Sequence, residues 1–375
     1  MAKYIYQHPN WPQFTWRDAE INRVFGEVRQ LQGKIIGYME TVGFAAQEEA
    51  NLAMLTRDVV DSSEIEGEKL NQADVRSSIA RKLGIDSVGL TTPNRHIDGI
   101  VEMLLDATHN HLEPLTAERL YGWHAALFPT GRSGLYTIEV GRYRSGEMQI
   151  VSGAMGKEVL HYEAIPAERV DQEMQAFLAW FNQETGTDDV LKAAIAHFWF
   201  IIIHPFDDGN GRMARALSDL LLARADGRSE RFYSMSSQML VERKQYYAVL
   251  QRVQASSGDI TEWMHWFLHC LLNALKATEH TLTGITEKHL FWQRHAHIAF
   301  NERQRIVLNK LLDGFEGKLR SSKWAKLAKC SSDTALRDIN DLINKGILRQ
   351  EASGGRSTHY TLLATGTATD VDKPD

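Results

Sequence analysis

Only two cysteines, Cys270 and Cys330, occur in 375 residues, too few and too scattered for a disulfide framework or a cysteine-built zinc site. Long apolar runs are missing as well: no span of 18 apolar residues could cross a membrane, and no basic-then-apolar leader opens the sequence. A cytoplasmic protein with no membrane partner is the expectation. Positive charge is in deficit, with 42 Lys and Arg against 48 Asp and Glu, a net charge of −6, so the whole molecule is no polyanion binder. The local exception is 301–360, where 12 Lys and Arg face 7 Asp and Glu. Any nucleic-acid contact would be confined there. No G-x-x-x-x-G-K-[ST] precedes a helix, which excludes a P-loop. What remains, 43% hydrophobic and 24% charged, is the usage of a globular chain long enough for two or three domains.

The densest chemistry follows the apolar run Phe198-Trp199-Phe200-Ile201-Ile202-Ile203 and reads His204-Pro205-Phe206-Asp207-Asp208-Gly209-Asn210-Gly211-Arg212-Met213-Ala214-Arg215. Gly209 and Gly211 permit positive φ and an inward-facing nest of N–H groups, and a helix starting near Arg212 aims its N-terminal dipole at the same spot. Arg212 and Arg215, three apart, share a helix face and can clamp successive phosphates. Asp208 offers a hard oxygen for Mg²⁺. His204 titrates nearest neutrality and suits a general base. The set describes a nucleotidyl-transfer centre.

Position for position, this stretch resembles the HxFx(D/E)GNGRxxR signature of the Fic family. The resemblance implies protein AMPylation: a base deprotonates a hydroxyl of a target protein, which attacks the α-phosphate of ATP. It implies His204 as base, Asp208 as metal ligand, Asn210 and the backbone of Gly209 to Gly211 on the α- and β-phosphates, and Arg212 and Arg215 on the β- and γ-phosphates. The implied nucleotide set also takes in Met213, Ala214, the Tyr246 and Tyr247 pair near the adenosine, and Val151. Asp207 fills the variable position. The expected substrate is ATP, the expected ion Mg²⁺.

Upstream, Asp61-Ser62-Ser63-Glu64-Ile65-Glu66-Gly67 fits the family's inhibitory pattern (S/T)xxxE(G/N) through Ser62, Glu66 and Gly67. It implies that Glu66 pairs with Arg215 and fills the space of the γ-phosphate, inhibition in cis.

Helical spacing of Ile21, Val24, Val28, Leu31, Ile35 and Met39 predicts a helix to about residue 41, and Leu52, Leu55 and Val59 mark a second. Further helices are expected at about 72–82, 96–109, 115–128, 167–184, 190–203, 214–225, 239–253 and 260–277. Leu115 to Phe128 has Thr116 as N-cap and His124 as a packed core histidine, and His197 reads as packing support. Glycine-punctuated β-prone runs at 148–151 and 158–162, with a turn at 152–156, predict a hairpin, similar to the family's flap, whose edge would align the target segment.

Residues 301–364 read as three helices and a Gly-tipped hairpin, the layout of a winged helix, with Ser322 and Ser331 or Ser332 as caps. Thr334, Arg337 and Asp338 are expected on the face of the third helix, few base readers, and Arg356 near phosphate. Protein binding or dimerisation is favoured over DNA. The fold class is therefore mainly α: an N-terminal helical domain (1–92), a Fic-type catalytic core with a flap (93–277), a helical connector (278–300), a winged helix (301–364) and a disordered tail (365–375). The partner is a protein presenting Tyr, Ser or Thr; a homodimer is left open. The other readings are an enzyme that removes AMP, and a DNA-binding regulator whose core senses nucleotide.

Overall fold

The computed structural model describes residues 2–85, 92, 94–152, 159–184, 186–312, 315, 317–351 and 358–363. The flap turn at 153–156, the hairpin tip at 353–356, most of the loop at 86–93 and the tail from 365 lie outside the described residues. Two compact units divide at Thr278, and the first, Met1–Thr278, takes in the N-terminal helices and the site together.

The first unit begins with an arm. Tyr4, Ile5 and Tyr6 are buried, Ile5 N donates to Gln254 O at 2.7 Å, and Trp11 and Phe14 meet Trp199 and Phe198 edge-on. Helix α1 (Asp18–Glu40) buries Ile21, Val24, Val28, Ile35 and Met39, the stripe its periodicity sets. α2 (Phe44–Ile65) carries Leu52, Leu55 and Val59 inward and stops where Gly67 adopts φ +86. α3 (Gln72–Leu83) is capped by Asn71 and closed by Gly84. α4 (Arg95–His109) and α5 (Ala117–Leu127) start on Asn94 and Thr116, whose side chains accept from amides of the first turn. They cross closely at Gly99, where a Cβ would stand 1.9 Å from Ala126 O.

Two small antiparallel ribbons follow. β1 (Arg132–Ser133) pairs with β2 (Tyr136–Thr137), and β3 (Gln149–Ser152) with β4 (Val159–Glu163) at the expected flap. α6 (Val170–Asn182) leads to α7 (Asp189–Ile203), which is buried nearly all round, in keeping with its mostly apolar sequence and the run Phe198 to Ile203. α8 (Asn210–Asp226) packs on it and is as deeply buried. The expected single helix at 239–253 is instead α9 (Met235–Val241) and α10 (Arg243–Val253), turned at Glu242. α9 is tied to α2, because Ser234 and Ser237 donate to Asp58 and Asp61 at 2.5 Å, and that anchorage fixes its direction apart from α10.

α11 (Thr261–Arg294) is one 34-residue helix that includes most of the expected connector. The second unit, Glu279–Asp375, adds α12 (Glu302–Leu312), α13 (Ser321–Leu327), α14 (Ser332–Asn344) and the antiparallel pair β5 (Leu348–Gln350) and β6 (Tyr360–Leu362). Its core gathers Phe291, Val307, Leu308, Trp324, Ile339, Leu342 and Tyr360. Ser322 is not the cap of α13: the helix begins at Ser321, behind Arg320, which makes no side-chain cap bond. Ser331 does cap α14. Asp338 is not on the exposed face; it shares the inward stripe of Ala335, Ile339 and Leu342, and Arg303 and Asn301 bind it at 2.8 and 2.9 Å. Among the described residues no helix is long and apolar enough to cross a membrane.

Candidate active site

The site is the loop between α7 and α8. α7 ends at His204, which takes left-handed φ 52, ψ 59, a conformation uncommon for a residue with a Cβ. This turns the imidazole out of the helix line toward α8. Its Nδ1 faces Ile201 O at 3.3 Å, so the ring is assigned Nδ1–H and its lone pair lies on Nε2. The His204 pKa is lowered to about 4, mainly by burial; the Ile201 carbonyl, Glu66 and Asp208 oppose that and Arg144 adds to it. The ring is an unprotonated base at neutral pH.

Phe206, fully buried, nails the loop to the core and stacks on His124 at 4.4 Å. His124 itself is buried and accepts from Gly141 N at 3.2 Å, a core histidine that joins loop to α5. Asn210 turns inward: Oδ1 accepts from Phe206 N at 3.0 Å and Nδ2 donates to Phe206 O at 2.7 Å. These two bonds close the loop and use one N–H of the Asn210 amide, leaving the second N–H for a ligand. Asp207 accepts from Glu139 N at 2.8 Å. Asp208 accepts from Gly209 N at 2.5 Å and from the Ser133 hydroxyl.

Gly209 has φ +79 and begins α8, leaving the first-turn N–H groups open. Gly211 differs from expectation: it lies inside α8 with no positive φ. It is glycine for proximity, because a Cβ there would stand 2.1 Å from Glu66 Oε1. Arg212 and Arg215 project from the same face, 6% and 2% exposed, and Arg212 Nε and Arg215 Nη1 have no protein partner among the described residues. Buried guanidinium N–H groups without acceptors, here two on one helix face beside the open amides of α8, can accept an anion. The side chains of Met213 and Ala214 are fully buried, and Met213 N closes a helical bond to Gly209 O at 3.0 Å.

Two carboxylates already hold the arginines. Glu66 Oε1 accepts from Arg215 Nη2 at 2.8 Å, while Ser62 accepts from Arg215 Nε through Oγ at 2.8 Å and from Nη2 through its carbonyl at 3.0 Å. Burial works most strongly against the Arg215 charge, and Glu66 together with Tyr246 and Tyr247 more than offsets it. Two residues on, Glu68 Oε2 accepts from Arg212 Nη1 at 3.1 Å, and Glu68 Oε1 meets His96 Nε2. That imidazole contact holds the Glu68 carboxyl below its usual range against burial. Glu68, His96 and Ser133 were not found by sequence reasoning; no local signal joins them to the motif. A cleft of about 420 Å³ opens beside these pairs, lined by Glu66, Glu68, His96, Ser133, Asp208 and Arg212.

His197, fully buried, bridges Ser218 Oγ at 3.0 Å and the Tyr246 hydroxyl at 2.9 Å. Of the tyrosine pair, Tyr246 is therefore core, 2% exposed, and Tyr247 presents the surface, 43% exposed. Val151 stands exposed on β3.

The fold has counterparts among known proteins. Residues 114–222 match the Fic/DOC family model, and residues 4–85 match a domain of unknown function, DUF4172. The chain is similar to the protein adenylyltransferase Fic of Nematostella vectensis, 24% identical over 223 residues, covering 58% of this chain and 47% of that one. It is similar also to the protein adenylyltransferase Fic of Culex quinquefasciatus, 27% identical over 210 residues, 55% of this chain and 38% of that one. The chain thus spans less than half the length of these relatives. Among solved structures, a Fic family protein from Desulfovibrio desulfuricans G20 superposes with TM-score 0.52 at 21% identity, covering 95% of this chain and 99% of that one. Fic-1 from C. elegans gives TM-score 0.52 at 20% identity over 72% of this chain and 74% of that one. These identities speak for the fold alone. Motif and loop geometry fall within residues 114–222, the stretch that matches the Fic/DOC family model.

Proposed function

We propose that this chain is a protein adenylyltransferase that moves AMP from ATP to a hydroxyl of a target protein and is restrained in cis by Glu66. The observation that carries the reading is the pairing of an unprotonated His204 with Arg212 and Arg215 on the first turns of α8, each with a guanidinium N–H left without a protein acceptor.

His204 Nε2 takes the proton of the target hydroxyl, whose oxygen then bonds to the α-phosphorus; the bond from that phosphorus to the pyrophosphate oxygen breaks, and pyrophosphate leaves. The open amides at the start of α8 hold α- and β-phosphate oxygens, and Arg212 and Arg215 take charge that grows on the leaving group. Asp208 would hold Mg²⁺. No group of three His, Cys, Asp or Glu side chains gathers to enclose an ion among the described residues, which suits a hard ion whose other ligands are phosphate and water. That ion would neutralise phosphate charge. Tyr247 and Val151 flank the nucleotide, and the β3 edge aligns the target's segment.

With Glu66 on Arg215, the γ-phosphate meets a carboxylate where it needs a cation. The second unit is read as a winged helix that binds protein, and the finer division at 92/93 and 277/278 belongs to this proposal. The test is intact mass after incubation with ATP and Mg²⁺. The Glu66→Gly variant should gain AMP, and Glu66→Gly/His204→Ala should not; equal labelling of both would overturn the assignment of His204.

A further inference from the structure

We infer that Arg144 is a positioning residue that holds the His204 main chain in register with both feet of the β3–β4 hairpin. The inference rests on the reading of His204 as base and of that hairpin as the strand that presents the hydroxyl.

Arg144 is 3% exposed, yet no carboxylate among the described residues pairs with it; its bonds go to main-chain carbonyls. Nε donates to His204 O at 2.8 Å, Nη1 to Gly146 O at 2.8 Å, and Nη2 to Ile165 O and, at 3.5 Å, Ile203 O. Its own amide donates to Pro205 O at 2.9 Å. Gly146 lies just before β3 and Ile165 just after β4, so the two feet of the hairpin and the end of α7 converge on one planar fork.

The chemistry of the fork explains the choice of residue. The last carbonyls of α7 have no helical partner, and they mark the negative end of its dipole, where a buried cation is accommodated without a carboxylate. Five N–H groups spread over a planar fork reach carbonyls on separate segments at once; the three donors of a lysine ammonium all leave from one point. His204, in its left-handed conformation, needs such external restraint to keep its ring aimed at one point. The same cation bears on the base itself. The charged groups facing His204 are Arg144, Glu66 and Asp208, and of these Arg144 alone works with burial to keep the ring neutral.

The test is steady-state AMP transfer in the Glu66→Gly background, comparing Arg144→Met, Arg144→Lys and His204→Ala. Arg144→Met should lower kcat about a hundredfold, the scale of a small misplacement of reacting groups, while KM for ATP stays within about threefold. Arg144→Lys should recover part of the loss, about tenfold, because one of the carbonyls regains a charged donor. In Arg144→Met the acid limb of kcat/KM should move to higher pH, a change that loosened packing alone would not produce. Parental kcat in a folded Arg144→Met or Arg144→Lys, or a drop in kcat matched by lost ATP binding with the acid limb in place, overturns the inference. Where His204→Ala abolishes transfer and the Arg144 variants do not, only the inference falls; where His204→Ala retains transfer, the base assignment falls and the inference with it.

Discussion

Glu68 holds Arg212 at 3.1 Å just two residues beyond Glu66, which holds Arg215 at 2.8 Å. The turn at Gly67, φ +86, lets two carboxylates so close in sequence reach two arginines three apart on α8. Two carboxylates just past the end of α2 thus pair with both arginines proposed to bind phosphate, and under that proposal they act as a two-pronged latch. Release of Glu66 alone leaves Arg212 engaged. Replacing Glu68 by Ala in the Glu66→Gly background should tighten ATP binding about three- to tenfold, since a partly exposed charged pair is worth roughly 1 kcal/mol. Calorimetric titration with ATP and Mg²⁺ measures it, and unchanged or weaker binding would show that Glu68 does not compete with phosphate.

Gly211 makes the latch possible by its lack of a side chain, since a Cβ would meet Glu66 Oε1 at 2.1 Å. The Glu66 carboxylate is the flexible partner and would be pushed off Arg215. Gly211→Ala should therefore destabilise the parent by about 1 kcal/mol, the loss of a charged hydrogen bond less the helix preference of alanine. In the Glu66→Ala background the same change should stabilise by about 0.5–1 kcal/mol, because only the helix preference remains. Urea unfolding of the four proteins closes the cycle; the same sign in both backgrounds would refute the contact.

How much of this was legible in the sequence follows from how far apart the partners lie. The amphipathic stripe of α1, the caps Thr116 and Ser331, and the helices flanking the motif are local and periodic, so residue order reveals them. The motif residues proposed as base and metal ligand, His204 and Asp208, and the two arginines are local as well. The Glu68–Arg212 pair joins residues 144 apart, and no spacing rule connects them. The loop-closing bonds of Asn210 were not legible either: its side chain folds back four residues onto the Phe206 main chain. The break between α9 and α10 depends on Ser234 and Ser237 reaching Asp58 and Asp61 on α2, contacts spanning 176 residues each.

The acid limb of transfer reports on His204. Its folded pKa is about 4, lowered first by burial, so the base form persists as pH falls from 7 to 5. In the Glu66→Gly background, kcat/KM for a target peptide should hold level through pH 6.5, where an ordinary histidine would already be half protonated, and decline near pH 4 to 5. A half-maximal point at pH 6.5 would mean that burial does not set the proton affinity of this base.

His197 offers a test of linkage away from catalysis. It is fully buried between Ser218 and Tyr246, and burial, aided by the Arg215 charge, lowers its pKa to about 3. A folded pKa below the unfolded one means that the unfolded chain takes up a proton the folded chain refuses. The stability tied to neutral His197 is complete above about pH 6.5 and is lost as pH falls toward 3, at up to about 1.4 kcal/mol per pH unit. A His197→Gln variant lacks that proton and that slope. It should be less stable than the parent at pH 7, because glutamine fills the site poorly, and the gap should narrow by about 2 kcal/mol by pH 5. Chemical unfolding at both pH values measures it. A gap that stays constant would mean that His197 is protonated in the fold, with its two hydroxyl partners both accepting.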